Sequence, residues 1–477
     1  MMICAGMWSQ KEFEKDIMMK RIIAMIAAVA MLLCLAGCKN DADKNNDGEK
    51  VNVEEKVLQS ENFSFDLGEA TYLFERYFID FYNNNAQYIS FYGIDIEKSL
   101  KEQEYTKDVT WFDYFAEQAE TYMNELLVFC EAAKASGKEL DENDVAEIDS
   151  IIKEFEDEAE GNGYKSVNEL VSEMYGDIVT IDDVRSFIEK EKLAFKHYNA
   201  MVESYTFTEE EENTYLSENP DEFYCVDYVY YIFDEDDDRD AKYNAKELKD
   251  TADSDAFYAY IENYETEVLK LDEEEKVGSK ESKYVLKDGE VGNWAFAAEI
   301  GDKYVDENTK DGIYTVYMLT SKPALQEYNV RDIRYICLTK DTYQTNEKTK
   351  AKAEKILGEW DETEKTPEDF GKLAEIYSED ENSSGNGGLY KNVDKSNSIL
   401  SDEGMKWLFE DAQVGDVTVL KGEGMYYILY LENIGKPQWR VAADNYMGED
   451  QYAEDSEKMV DTHKVEVFED VIKKIDK

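Results

Sequence analysis

The stretch PEDFGKLAEIYSEDENSSGNGGLY (Pro367–Tyr390) decides how the second half of this 477-residue chain is read. It sets Phe370-x-x-Leu373-Ala374 ahead of Ser378-x-Asp380 and the pair Gly387-Gly388. Adjacent glycines most simply serve the backbone, by allowing a positive φ that a side chain would resist. Upstream, the apolar strand pattern Val330–Leu338 and the helical pattern Lys348–Trp360 lead into the stretch. Downstream come Trp407-Leu-Phe409, Gly415-Asp416-Val417 and a strand pattern, Tyr426–Leu431.

The same order of features occurs earlier in the chain. Val229–Phe233 answers Arg334–Leu338, and Trp294-Ala-Phe296 answers Trp407-Leu-Phe409. Gly301-Asp302, Tyr314–Leu319 and Lys322-Pro323 answer Gly415-Asp416, Tyr426–Leu431 and Lys436-Pro437. Two copies of one small α/β module, 220–325 and 327–437, account for these ordered matches, with one loop insertion between them. The first copy lacks both Ser-x-Asp and Gly-Gly.

From about Phe63 to Tyr205 the spacing is helical instead. Phe112, Phe115, Ala119, Met123, Leu126, Leu127 and Cys130 recur at three and four, with Gly137 as the stop. Val145, Ile148, Ile151, Ile152 and Phe155 repeat the pattern. Ser166 with Glu169 reads as a capping box closed by Gly176, and a long helix opens at Thr180–Asp183. His197 lies beside that helix's apolar stripe and reads as a packed or half-exposed histidine rather than a ligand. A helical domain this rich in aromatics could be a scaffold or an apolar cradle for unfolded chains, and the residues alone favour neither.

Composition narrows the function classes. Lys and Arg number 52 against 110 Asp and Glu, a net charge of −58, which argues against nucleic acid because phosphate contacts need clustered cations. The 35 Tyr and 21 Phe are too many for a disordered acidic chain. With only 2 His, far apart in the sequence, multi-histidine metal sites and most histidine triads are short of ligands, and no metal or cofactor is expected. The acidic run Asp234–Asp240 places Arg239 where a calcium loop needs Gly, so it reads as solvated charge.

At the amino terminus, Lys20-Arg21 precede an apolar run, Ile22–Leu35, and then Leu35-Ala36-Gly37-Cys38. A basic flank, a short apolar segment and small residues describe a secretory signal (1–37) too short to span a membrane. The Cys that follows resembles the lipid acceptor of bacterial lipoproteins, which makes Cys38 the expected lipidation site. Met18 or Met19 would open a signal of ordinary length, so residues 1–17 read as an over-extended start. Residues 38–58 read as a flexible acidic tether. Removal of the signal and lipidation of Cys38 leave Cys130, Cys225 and Cys337, too few and too scattered for a disulfide framework. Cys130 and Cys337 sit in apolar patterns and read as small core residues.

Taken together, the motifs of 327–437 resemble the parvulin (PpiC-type) peptidyl-prolyl isomerases. With the lipoprotein signal and the helical segment 59–207, the whole chain resembles the PrsA- and SurA-like foldases. The fold class this implies is an α+β multidomain chain. A helical, chaperone-like, client-binding domain precedes two tandem parvulin-like modules, the first degenerate, and a tail (438–477) in which Val465–Ile475 has helical spacing. The resemblance implies cis/trans isomerisation of X-Pro bonds together with binding of unfolded or newly exported, proline-containing polypeptides. It places the chain at the cell membrane, lipid-anchored on the extracytoplasmic face. Family sites combine an apolar floor, one Cys or Asp and two supporting His. By this resemblance Asp380 takes the acidic position, while Tyr335 and about Tyr426 take the places of the two His. Leu400, Met405 and Phe409 are the floor candidates, and Gly387 and Gly388 shape the turn. Against an active enzyme stands a silent holdase in which Tyr335 and Tyr426 are strand core and Asp380 caps a turn. A solute-binding lipoprotein is disfavoured by the tandem repeat and by the want of a doubly wound pattern.

Overall fold

The computed structural model describes residues 52–475 apart from 90, 97, 381–382 and 397–398. The signal segment, Cys38 and most of the tether therefore lie outside the described residues. Residues up to Thr206, with those from Gly448 onward, form one unit, and Phe207–Met447 form the other.

The first unit opens with β1 (Lys56–Gln59) and β2 (Ser64–Asp66), followed by α1 (Leu67–Asn85). A small hairpin of β3 (Glu104–Thr106) and β4 (Val109–Thr110) precedes α2 (Trp111–Ala135), α3 (Glu142–Gly161), α4 (Val167–Tyr175) and α5 (Ile181–Ser204). Asp66, Thr110, Asp141 and Thr180 each accept from the third helical amide, and the residue there bonds back, so four helices start on complete capping boxes. At α4 the box is only half made. Ser166 caps the Glu169 amide, but the Glu169 carboxylate takes the Lys165 amide instead. Gly137 and Gly176, with φ of +72° and +102°, stand at the helix ends expected of them.

The core of this unit is aromatic. Phe65, Tyr72, Phe74, Phe115, Phe155 and Phe187 are fully buried, and Tyr72 meets Tyr175 edge to face with ring centroids 4.9 Å apart. Two boundaries depart from the sequence reading. Val57 and Leu58, assigned to the tether, are fully buried in β1, where each contributes about 1.5–3 kcal/mol of apolar burial. The tail segment Val465–Ile475 is not one helix: Glu466–Val467 pair antiparallel with β1, Leu58 opposite Val467, and a single turn, Glu469–Ile472, follows. Val465, Val467 and the intervening Glu466 alternate with period two, so the strand edge of β1 wins over helix formation. Val471, Ile472 and Ile475 then enter the same core as the amino-terminal helices.

The second unit begins with α6 (Glu209–Glu218) and contains two antiparallel sheets built alike. In the first, β5 (Tyr224–Asp234), α7 (Ala241–Lys249), α8 (Ser254–Asn263), β6 (Lys280–Val285), α9 (Gly289–Ala297), β7 (Lys303–Asn308) and β8 (Ile313–Leu319) give the order β6-β5-β8-β7. A short β9 (Ala324–Leu325) pairs with the start of β5. In the second, β10 (Asn329–Thr339), α10 (Asn346–Asp361), α11 (Pro367–Tyr377), β11 (Leu389–Val393), β12 (Val417–Gly422) and β13 (Met425–Pro437) give β11-β10-β13-β12. In both sheets the first and last strands are paired at the centre. A final helix, α12 (Gln438–Thr462), begins in this unit, where Trp439 and Ala443 pack on Phe223. Beside it Glu212, 2% exposed, is held by Lys436 Nζ at 2.9 Å and by Arg440. Among the described residues, no helix is long and apolar enough to cross a membrane.

Candidate active site

Strand β10 runs through the middle of the second sheet and is buried on both sides. Ile336 and Leu338 face α10 and α11 and pack with Ala353, Ile356, Trp360 and Phe370. Ile333, Tyr335 and Cys337 face the other way. On β13, directly paired with it, Cys337 stands opposite Tyr427 and Leu338 opposite Tyr426.

That register corrects one residue of the sequence reading. Tyr426 packs on the helix side with Ile336 and Trp360, whereas Tyr427 shares the face of Tyr335 and Cys337. Side chains alternate along a strand, so a one-residue slip in the count moves a side chain to the opposite face. Tyr427 is buried, and its hydroxyl bonds the Ser401 hydroxyl and accepts from the Ser401 amide at 3.1 Å.

The loop after α11 brings Asp380 to this face. The Ser378 hydroxyl accepts from the Cys337 amide at 3.1 Å and the Glu379 amide donates to the Cys337 carbonyl at 2.8 Å, so the loop is stitched along β10. Asp380 Oδ2 accepts from Tyr390 Oη at 2.8 Å and from Ser383 Oγ, itself 1% exposed. The Tyr390 ring meets Tyr335 edge to face at 5.9 Å. Asp380 therefore reaches Tyr335 and Cys337 through Tyr390, a residue the sequence reading passed over although it follows the double glycine closely.

Burial, and then the neighbouring Cys337 thiol and Asp380 charge, push the Tyr335 phenol far above its ordinary value. Burial and the hydrogen bond to Asp380 do the same to Tyr390. Burial also raises the Cys337 thiol, which stays protonated instead of becoming a nucleophile. The site thus sets the Asp380 carboxylate among neutral hydroxyl and thiol groups, with Glu379 also near enough to act on Cys337. It can accept or donate hydrogen bonds and supply a local negative potential, and it contains no imidazole to titrate near neutrality.

Gly387 and Gly388 have φ of +72° and +73°. A Cβ on Gly388 would fall 2.3 Å from the Tyr335 carbonyl oxygen, and one on Gly387 would fall 2.7 Å from Arg334 Nη1. The Gly388 carbonyl accepts from the Tyr335 amide at 2.8 Å, and Arg334, paired with Glu432 at 2.6 Å, donates to the Gly387 carbonyl at 3.0 Å. The double glycine lets the loop lie directly on β10 and so sets the distance between Asp380 and Tyr335.

Leu400, Met405 and Phe409 all enter the apolar cluster of Tyr335 and Cys337, but at different places. Leu400 lies by Gly404 and Tyr427. Phe409 packs on Tyr328 at 5.6 Å under the Arg331 guanidinium at 4.9 Å. Arg331 precedes Cys337 by six positions on one strand, roughly 20 Å at about 3.3 Å per residue. Leu400 therefore belongs to the Tyr427 end of the face, and Phe409 stands at the Arg331 end.

Residues 314–433 match the family described as the PPIC-type PPIASE domain. This segment is a parvulin-type peptidyl-prolyl isomerase domain. The match opens in β8, upstream of the boundary at 327 drawn from sequence, and includes Phe370, Asp380, Gly387, Gly388 and Gly415 of the PPIase domain. No curated protein matches the chain. Among solved structures, the foldase protein PrsA from Streptococcus pneumoniae is similar at 20% identity and a TM-score of 0.22, over 46% of this chain and 78% of that one.

Proposed function

We propose that the protein is an extracytoplasmic foldase, lipid-anchored through Cys38, whose PPIase domain turns over X-Pro bonds in exported polypeptides. The observation that carries this reading is the half-buried Asp380 carboxylate, bonded by Tyr390 and Ser383 within electrostatic reach of Tyr335 and Cys337. Rotation about an X-Pro bond is slow because the amide must give up its resonance, a barrier of about 18–20 kcal/mol, and no bond breaks. Neither nucleophile nor cofactor is needed. A face that seats the prolyl ring on apolar side chains and stabilises the twisted amide more than the planar one lowers that barrier. Leu400 and Met405 supply the apolar surface, and Asp380 supplies charge that acts on the twisting amide.

The helical unit serves in this reading to hold unfolded clients. Phe91, 87% exposed, stands near Tyr88, Tyr92 and Ile96, all of them open to solvent. The first sheet of the second unit repeats the strand order of the PPIase domain without Ser-x-Asp or Gly-Gly, and we read it as a parvulin-like module without turnover.

Isomerisation of a proline peptide by the full chain, beside Asp380→Ala, tests the proposal. A rate above the uncatalysed one that falls on substitution supports it, and two rates equal to the uncatalysed one exclude turnover. A silent holdase is favoured by a different observation: Tyr335 and Tyr427, at 7% and 1% exposure, fill the face with phenols. That reading predicts slowed client aggregation with no isomerisation.

A further inference from the structure

The two histidines of the chain, distant in sequence, line one open cavity of about 450 Å³ in the first unit. They do so in matching company. His197 and Met201 are four residues apart on α5, and Met459 and His463 are four residues apart at the end of α12, where the His463 amide still donates to the Met459 carbonyl at 2.8 Å. Residues at i and i+4 share a helix face, so each helix presents one imidazole and one thioether to the same space.

The donors are prepared unequally for different ions. Ser136 Oγ lies 2.9 Å from the carbonyls of Ala132 and Ala133 and 3.3 Å from His197 Nδ1. A hydroxyl has one proton, and when a carbonyl takes it the contact with His197 must be donated by Nδ1–H. With the hydroxyl proton on a carbonyl, the Nε2 lone pair is left for a ligand, in the way an outer-sphere partner orients a metal-binding imidazole. Asp455, the one carboxylate lining the cavity, is engaged by Tyr205 Oη at 3.2 Å and Lys458 Nζ at 3.2 Å. Two imidazoles and two thioethers, with the hard oxygen donor occupied, suit a soft monovalent ion better than zinc or calcium. Methionine's three rotatable bonds let the thioethers close on an ion within a cavity of this size.

We propose that His197, Met201, Met459 and His463 form a copper(I) site that ties the end of α12 to α5. The test uses the full chain, titrated anaerobically with copper(I) against a chromophoric copper(I) chelator. The cysteines give a background, so the readout is the difference between wild type and variants. Wild type should hold one equivalent more than the double variant His197→Gln/His463→Gln. Met201→Leu/Met459→Leu, a swap of nearly conserved volume, should weaken that equivalent at least tenfold. In protein labelled only at histidine, both imidazole signals should shift together on addition of one equivalent. Equal copper stoichiometry in wild type and the histidine variant, with both folded by circular dichroism, overturns the proposal. So does zinc(II) that displaces the copper(I) at equal concentration.

Discussion

Tyr390 Oη donates to Asp380 Oδ2 at 2.8 Å while the Tyr390 ring packs edge to face on Tyr335, so one side chain links the carboxylate to the buried strand. The link has an energetic consequence. A hydrogen bond to a charged group contributes about 1.5–3 kcal/mol, and here it also holds the carboxylate at one place on the face. Tyr390→Phe keeps the ring and removes the donor. We expect it to lower kcat/KM for a proline peptide about tenfold, a loss of about 1.4 kcal/mol of transition-state stabilisation, with the fold intact. Asp380→Ala should cost at least as much. Unchanged kinetics in both variants would remove the carboxylate from the mechanism.

The pH profile follows from the raised phenols. A phenol pushed above its ordinary value keeps its proton to higher pH, so Tyr335 and Tyr390 remain neutral donors past about pH 10. Isomerase activity should therefore be flat from about pH 6 to 9. A bell centred near neutrality, of the kind an imidazole gives, would point to a titrating group elsewhere.

Adjacent tyrosines on β13 should behave differently. Tyr427→Phe removes the partner of the Ser401 amide and leaves the Ser401 hydroxyl only the Gly404 amide, and it should destabilise the second unit by about 1 kcal/mol and impair turnover. Tyr426→Phe, on the helix side, should change turnover by less than about twofold. Equal effects on activity would mean that the pairing of β10 with β13 does not govern the site.

Gly388→Ala introduces a Cβ 2.3 Å from a backbone oxygen at a φ of +73°. A backbone atom cannot step aside as a flexible side chain can, so we expect a loss of about 3 kcal/mol in urea unfolding, together with loss of activity. Gly424→Ala, at φ +70° but in open space, should cost only about 1 kcal/mol.

Glu212 provides an acid-sensitive point in the second unit. Burial works against its charge, but Lys436 and Arg440 outweigh it and hold the carboxyl below the usual carboxylate value. Because the folded value is depressed, the stabilisation is complete above about pH 4.5 and is lost as pH falls through the folded value. Glu212→Gln leaves Lys436 with Asp444 alone and Arg440 with the exposed Glu209 alone, and should cost about 2 kcal/mol at pH 7, with the difference from wild type shrinking below about pH 4. A constant difference across that range would assign the loss to packing alone.

How much was readable in advance differed by element. The helix opening at Thr180, the stops at Gly137 and Gly176 and the strands β5, β8, β10 and β13 are local patterns, and the chain follows them to within a few residues, whereas the box read at Ser166 is only half made. The tail failed because Val465–Phe468 fits either period, and only the free edge of β1 decides for a strand. Within the site, Asp380 and the double glycine are legible from their order. Tyr427 was missed by one position because side-chain alternation is unforgiving of a miscounted loop, and Tyr390 because its partner lies across that loop.

Order along the chain pointed to an isomerase domain in the second half of the sequence, since its motifs depend on interactions between near neighbours and on simple periodicity. Which phenol meets Asp380, which tyrosine of β13 faces inward, and that His197 and His463 share a cavity were settled only by strand register and helix packing. Those are set by the burial of whole faces against one another, a condition that no single segment can express by itself.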